Sequence, residues 1–334
     1  MSRVTVSIDR LRQLTHRADG KPARAAAEGT CPKCESHYRA EEMRRNHRVC
    51  PACGHHFPVG ARERLDQLGG AGQWRELWPE LRAADPLQFV DLKPYGDRVR
   101  ESEAATGLGE ALVCAELEIQ GRPAIAAIMD FGFMGGSMGA VVGEKLCRAC
   151  EHAVDRGLPL VIITSSGGAR MQEGVLALMQ MARTVISLDG PGEAGLPVIV
   201  VLAHPTTGGV WASFASLGDL IYAEPGALIA FSGPRVIEQT TREKLAPDFG
   251  RAELQLHNGQ VDAVVDRREL AGRLAHVLGI LNRPQRTQQP GALSMSWAQD
   301  GAGKAVRAAQ ALPGLPKRFI DRMRPGPNGT GGAE

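Results

Sequence analysis

The sequence predicts an α/β protein, a largely parallel sheet with its helices, carrying a small metal-binding module at its N-terminal end. Three observations lead there. From about residue 111, short apolar runs alternate with helical stretches across short loops, the pattern of βαβ units. Four cysteines fall into two CxxC pairs, fifteen residues apart. Two of the loops joining strand to helix carry paired glycines, in "TSSGGAR" and "PTTGG".

A length of 334 residues with 43% hydrophobic content allows a sizeable core, while 40 glycines against 4% aromatics favour tight turns and close backbone packing. A net charge of +2 gives no overall electrostatic case for nucleic acid or a membrane. No apolar run reaches the roughly 18 residues needed to span a bilayer. The opening "MSRVTVSIDRLRQL" lacks the apolar stretch of a secretory signal. Cysteines spaced for metal rather than for disulfides fit a reducing compartment, so a cytoplasmic location is expected.

Four segments follow along the chain. Residues 1–29, polar and Arg/Ala-rich, read as a flexible arm, and residues 30–58 as the cysteine module. Residues 59–282 form the α/β core, and 283–334, rich in Gln, Pro and Gly, read as a disordered tail. Within the core, "VGARERLDQLGG" is a short amphipathic helix stopped by Gly69 and Gly70. Residues 71–110, with Trp74, Trp78, Pro79, Pro86 and Pro94, read as connecting structure with short helices. "ALVCAELEIQGRPAIAAIMDF" is a hairpin about Gly121. Next come a helix, "SMGAVVGEKLCRACEHAVDRG", ending at Gly157, and a buried strand, "LPLVIITSS". "ARMQEGVLALMQMARTVISL" is a second helix and "LPVIVVLAHP" a second buried strand. "VWASFASLGDLIYA" is expected as a third helix and "ALIAFSG" as a further strand.

A CxxC knuckle presents two thiolates from one tight turn, and two knuckles close a tetrahedron. Cys31, Cys34, Cys50 and Cys53 are therefore expected to hold one Zn2+. Four thiolates leave no open position, which makes that zinc structural. His37, His47, His55 and His56 are expected at the surface rather than as ligands. Gly54 follows the second knuckle, but Glu35 holds the matching place after the first, a less ideal turn. Arg39, Arg44, Arg45, His47 and Arg48 are diluted by Glu41 and Glu42 and read as a solvated or partner-facing surface, with nucleic-acid binding as the alternative. Cys147 and Cys150 on a helix, and Cys114 in a strand, read as buried or idle thiols.

Three chemistries compete for "TSSGGAR". A phosphate loop is weak, because the P-loop order and its lysine are missing. A nucleophilic serine, Ser165 or Ser166, lacks the Gly-x-Ser-x-Gly frame. An oxyanion site fits best: residues without Cβ let the backbone approach a thioester whose oxygen gains negative charge. The bland alternative is close helix–strand packing. Two glycine turns on consecutive strands, with "FGFMGGSMG" upstream, favour the site, since such turns gather at one edge of a parallel sheet. Met134, Met138 and Met171 stand around them as pocket wall or core.

These stretches together, the cysteine module followed by "FGFMGGSMGAVVGEK", "SSGGARMQEG", "PTTGGVWASFASLGDLIYAEPGALIAFSGPRVIEQT" and "REKLAPDFGRAEL", closely resemble the carboxyltransferase β subunit of bacterial acetyl-CoA carboxylase across roughly residues 28–275. The resemblance implies a crotonase/ClpP-like ββα superhelix behind a zinc ribbon. It implies transfer of a carboxyl group from carboxybiotin to acetyl-CoA, giving malonyl-CoA, the first step of fatty acid biosynthesis. The carboxybiotin would arrive on a biotin carboxyl carrier protein, loaded by biotin carboxylase, and an α subunit of the same fold would complete an α2β2 heterotetramer. By the family's pattern Gly208 and Gly209 supply the oxyanion N–H groups, Gly167 and Gly168, with Gly135 and Gly136, line the acyl-CoA cleft, and the four cysteines bind zinc. Biotin would not be attached here, because no Met-Lys-Met segment is present.

The chain departs from the family's pattern at His204, Thr207 and Trp211, and Gly190, Pro191 and Gly192 stand where a helix normally continues, so that helix should end early. These departures keep open a paralogue acting on another acyl thioester. A different crotonase reaction, hydrolysis or decarboxylation, would need a side-chain acid or base, for which Asp130, His204 and Asp219 are the candidates.

Overall fold

A computed structural model describes residues 28–281 apart from 243 and 247; the expected arm, beyond its last two residues, and the expected tail lie outside the described residues. The cysteine module pairs β1 (Glu28–Thr30) with β2 (His37–Arg39) antiparallel, and α1 (Ala40–Arg45) follows.

Helix α2 (Ala61–Gly69) opens the core as its apolar spacing predicts, burying Ala61, Leu65 and Leu68 and ending at Gly70, whose φ of 94° no larger residue adopts easily. Its N-cap, Gly60, has no side chain to offer, and the Asp130 carboxylate accepts the Ala61 N–H at 2.7 Å instead. Residues 71–110 are not only connection: Trp74–Leu77 is a strand, β3, before α3 (Tyr95–Thr106). Four residues bounded by glycines and a proline give little periodicity. What makes them a strand is the antiparallel edge of β4 beside them.

β4 (Leu112–Ile119) and β5 (Arg122–Met129) form the expected hairpin, turned by Gln120 and Gly121 with φ of 48° and 77°. Helix α4 (Ala140–Arg156) stops at Gly157 in the left-handed region, and β6 (Leu160–Ser166) is buried throughout. The second helix starts later than expected. Met171–Glu173 is a 3-10 turn, Gly174 bends the chain with φ 52°, and α5 runs Val175–Glu193.

Gly190, Pro191 and Gly192 do not end that helix early. Pro191 lies in its last turn, where a missing N–H forfeits one bond only, and the carbonyls of Gly190, Pro191 and Gly192 are taken by the N–H groups of Ala194, Leu196 and Gly195. The expected third helix is corrected more deeply. After β7 (Val198–Thr207), α6 lasts one turn (Gly208–Trp211), and Leu220–Ala223 is strand β8. "LIYA" fits a slot between two parallel strands, and that pairing outweighs its helical spacing. β9 (Ile229–Ala230), α7 (Pro234–Thr241), α8 (Ala252–His257), β10 (Ala263–Val264) and α9 (Arg267–Leu281) complete the core.

The sheet runs β10-β8-β7-β6-β5-β4-β3, with β9 beside the end of β7. It is parallel from β10 to β5 and antiparallel from there to β3. Cys114, Cys147 and Cys150 are buried as expected, and burial pushes the Cys114 thiol up to about 12, which leaves it protonated and unreactive. Among the described residues no helix is long and apolar enough to cross a membrane.

A buried ionic joint fastens the cysteine module to the core. Arg267, at the start of α9, donates to Phe57 O (2.8 Å) and His47 O (3.1 Å), and grips Glu224 through Nε (2.8 Å) and Nη2 (2.6 Å). Arg64 pairs with the same carboxylate. His56, expected at the surface, is buried instead, Nδ1 3.6 Å from Glu224 and Nε2 3.4 Å from Asp266. Burial alone would raise the Glu224 carboxyl, but Arg64 and Arg267 override it and hold it well below the usual carboxylate range. A depressed carboxylate stabilises the fold above its unfolded value near ~4.3 and loses that contribution as pH falls. Glu224→Gln is expected to cost about 3–5 kcal/mol in urea unfolding at pH 7, because two buried guanidiniums lose their shared partner. The gap to the native protein should narrow by about 1.4 kcal/mol per pH unit below ~4.3. A constant gap would show that Glu224 is not ionised in the fold.

Candidate functional site

Strands β5, β6 and β7 run parallel, so the loops leaving them emerge at one sheet edge, and each carries glycines. The three turns touch through bare backbone. Gly167 N–H donates to Gly135 O (2.9 Å), and a Cβ on Gly136, whose φ is 63°, would collide with Ser165 O. Gly168, with φ 115°, lies against Gly208: a Cβ built on Gly208 would come within 2.9 Å of Gly168 Cα, and one on Gly168 within 3.1 Å of Gly208 Cα. The fold therefore gathers Gly135, Gly136, Gly167, Gly168, Gly208 and Gly209 into one cluster. Gly167 is exposed, and Gly208 and Gly209 are half-buried.

The two residues of the last pair are not equivalent. Gly208 N–H is already donated to Phe231 O at 2.9 Å. Gly209 and Val210, next in a helix of one turn, have no intrahelical acceptor for their N–H groups. So short a helix adds little dipole, and the direction of those N–H groups has to supply the stabilisation. Met181 on α5 underlies Gly209, 3.0 Å from where its Cβ would stand. Of the three methionines expected around the turns, Met138 is buried, Met134 packs on the core, and Met171 is 67% exposed. Exposed Phe131 and Phe231 complete an apolar rim.

The candidate acids and bases are committed elsewhere. Asp130 spends one oxygen on Ala61 N–H and the other on Gly132 N–H (2.8 Å). Asp219 accepts Val198 N–H at the opposite end of β7, roughly 30 Å of strand from the glycines. His204 Nδ1 accepts Leu228 N–H (3.1 Å), and its carbonyl takes the Ser165 hydroxyl (3.1 Å).

Beneath the turns lies a buried ionic cluster that the sequence reading missed. Arg170 has no exposed side-chain surface and forks onto Glu110, with Tyr95 (3.1 Å) and Glu173 (3.2 Å) alongside. Glu173 also takes the Tyr95 hydroxyl (2.6 Å) and Ala140 N–H (2.6 Å), at the first residue of α4. Burial raises the Tyr95 hydroxyl well above the usual phenol range; Arg170 opposes that rise and Glu173 adds to it, which leaves Tyr95 a donor. Burial disfavours the Arg170 charge too, but Glu110 more than restores it. The signal was available: Arg170 and Glu173 directly follow the glycine turn that ends a buried strand, where charge is out of place unless paired.

The cysteines come together as expected, their four Sγ atoms within 4.8 Å of one another. Cys31–Cys53 and Cys34–Cys50 are each 3.7 Å apart, close to the ~3.8 Å edge of a tetrahedron with 2.3 Å Zn–S bonds. The donors fit zinc. Gly54 N–H closes the second knuckle on Cys50 O (2.9 Å), and Glu35 closes the first on Cys31 O (2.8 Å) despite a φ of 59°. Of the nearby basic residues, Arg45 pairs with Glu41 and Arg48 with Glu63 (2.7 Å), which weakens the case for nucleic acid.

The carboxyl transferase domain family matches residues 84–300, more than half of the chain. An acetyl-coenzyme A carboxylase carboxyl transferase subunit beta from Pelobacter propionicus is 51% identical over 254 residues, 76% of this chain and 89% of that protein. The chain belongs to the carboxyl transferase family. Subunits of the same name from Thermus thermophilus (50% identical over 248 residues, 74% and 87% covered) and a Synechococcus strain (46% over 295, 88% and 92%) agree. Among solved structures, the hetero-dimer MdcD–MdcE of Pseudomonas malonate decarboxylase is 26% identical with a TM-score of 0.51, covering 74% of this chain and 94% of that one. Transcarboxylase 12S, at 24% identity and a TM-score of 0.55, shares the fold over 83% of this chain, which spans about half (48%) of that chain's length. The chain has the family's crotonase-like α/β fold, and its four-cysteine cluster lies N-terminal to the matched residues.

Proposed function

We propose that the chain is the β subunit of an acetyl-CoA carboxylase carboxyltransferase, moving a carboxyl group from carrier-borne carboxybiotin to acetyl-CoA to form malonyl-CoA. The observation that carries this is the bare-backbone cluster of three glycine turns, with both oxygens of Asp130 and Nδ1 of His204 already taken by main-chain N–H groups and Asp219 at the far end of β7. Such a site stabilises an enolate and supplies no base of its own. Carboxybiotin makes up the difference. Breaking its N–CO2 bond releases CO2 and leaves a basic ureido nitrogen, which takes the α-proton of acetyl-CoA. The enolate oxygen rests on the N–H of Gly209, with Gly208 shaping the turn, and the enolate carbon bonds to CO2. Gly167, Gly168, Gly135 and Gly136 line the thioester's path. Zn2+ on Cys31, Cys34, Cys50 and Cys53 is structural, and it holds the module that Arg267 docks.

The α subunit completes the cleft. On α5, Val175, Leu178, Met179 and Ile186 share one helix face and are 57–68% exposed. That helix begins just beyond a glycine turn, which supports its bare apolar face as the surface that a second half of the same fold covers. The biotin carboxyl carrier protein and biotin carboxylase then act as transient partners in the cytoplasm. The relatives' shared name places acetyl-CoA ahead of another acyl thioester as the acceptor.

Purified chain mixed with its α partner, biotinylated carrier, biotin carboxylase, ATP and labelled bicarbonate is expected to label malonyl-CoA. No product with that set, and none with longer acyl-CoAs, would end the proposal. In the same preparation Leu178→Glu with Ile186→Glu should abolish co-purification of the α subunit; retained association would move the interface elsewhere.

A further inference from the structure

We propose that Arg170 is a positioning residue for carboxyl transfer, fixing the register of the first glycine turn on the second and, through their contact, the third. This role rests on the oxyanion site proposed above.

Side chain and main chain of Arg170 hold the same short segment. Its Nη2 donates to Ser137 O (2.8 Å) and its Nε to Ser137 Oγ (3.1 Å). Its own N–H donates to Met138 O (2.8 Å), while Met138 N–H donates to Gly168 O (2.8 Å). Residues 137–138 are thus clamped between the guanidinium and the Gly168 peptide, and Gly168 is the residue that touches Gly208. Glu110 and Tyr95 fix the other end of the fork, and Phe133 lies under it, 5.6 Å from Cζ to ring centroid. Every donor of the guanidinium has an acceptor, so its orientation is single-valued.

A wholly buried ion cluster is a weak source of stability, because an apolar cluster of equal volume does as well. What the cluster adds is a planar, five-donor fork in one orientation, and lysine cannot reproduce that. Arg170 itself is fully buried, out of a substrate's reach. Its effect reaches the chemistry only through where the Gly209 N–H points, and a misplacement near 1 Å in such a site costs about 10²-fold in rate.

The test uses the assembled carboxyltransferase with biotinylated carrier. Arg170→Lys is expected to lower kcat at least about tenfold, with KM for acetyl-CoA within about threefold of the native value and zinc content and α association unchanged. Ser137→Ala, which removes only the Nε acceptor, is expected to lower kcat about threefold or more while the melting temperature stays put. Native kcat in assembled Arg170→Lys would overturn the role. A raised KM at native kcat would overturn it too, since that marks lost ground-state binding. If Arg170→Lys fails to assemble, Ser137→Ala decides, and native kcat there is again fatal. The oxyanion site fails separately: a fully active Gly208→Val complex would remove it whatever Arg170 does.

Discussion

Gly208→Val is expected to lower malonyl-CoA formation by about 10²- to 10³-fold, the loss seen when one oxyanion donor is removed. Two effects combine. Gly208 has φ 63°, a region in which a β-branched residue costs roughly 1–3 kcal/mol. Its Cβ would also stand 2.9 Å from Gly168 Cα and 3.2 Å from Gly167 O, main-chain atoms that no rotamer change can clear. The turn must open, and it takes the Gly209 N–H with it. Zinc content and α association should stay native, since both lie on other elements. Steady-state turnover with acetyl-CoA, alongside metal analysis and gel filtration, measures all three. Native turnover would sink the oxyanion assignment.

Cys50→Ser carries the second large effect. Structural zinc supplies roughly 10–16 kcal/mol in small four-ligand modules, far more than strands of three residues and a helix of six supply by themselves. Removing one thiolate is expected to unfold residues 30–58 and free zinc. Arg267 would then lose Phe57 O and His47 O, and the Glu224 joint would open to water. Hydrogen exchange should show protection lost in the module and reduced at the start of α9, while β5–β7 keep theirs. An intact module with one zinc per chain would contradict the four-cysteine assignment.

How far the residues alone carried the argument depended on what each contact needed. The four-cysteine cluster was legible because two knuckles are local and the fifteen-residue gap is diagnostic. β6 and β7 were legible as buried apolar runs, and their parallel pairing brought the glycine turns to one edge as expected. β3 and β8 were not legible, since each is four residues long and owes its conformation to a neighbouring strand. The persistence of α5 through Pro191 depended on carbonyls claimed from beyond the helix. Burial of His56 depended on Glu224 and Asp266, and that of Arg170 on Glu110 and Tyr95, partners too distant in the chain for any window of sequence to enclose.

The contact between Gly168 and Gly208 limits how this site can diverge. Most pockets change their guest by exchanging large side chains for small ones along the wall. Here two loops already meet as naked main chain, so neither can be trimmed further, and any bulk added to one evicts the other. A lineage that drifts toward longer acyl groups has to leave both loops untouched and remodel the furniture around them: Met181, Trp211 and the exposed aromatics at 131 and 231. Variation in acyl preference should therefore collect at those four positions, with the loops themselves kept as they are.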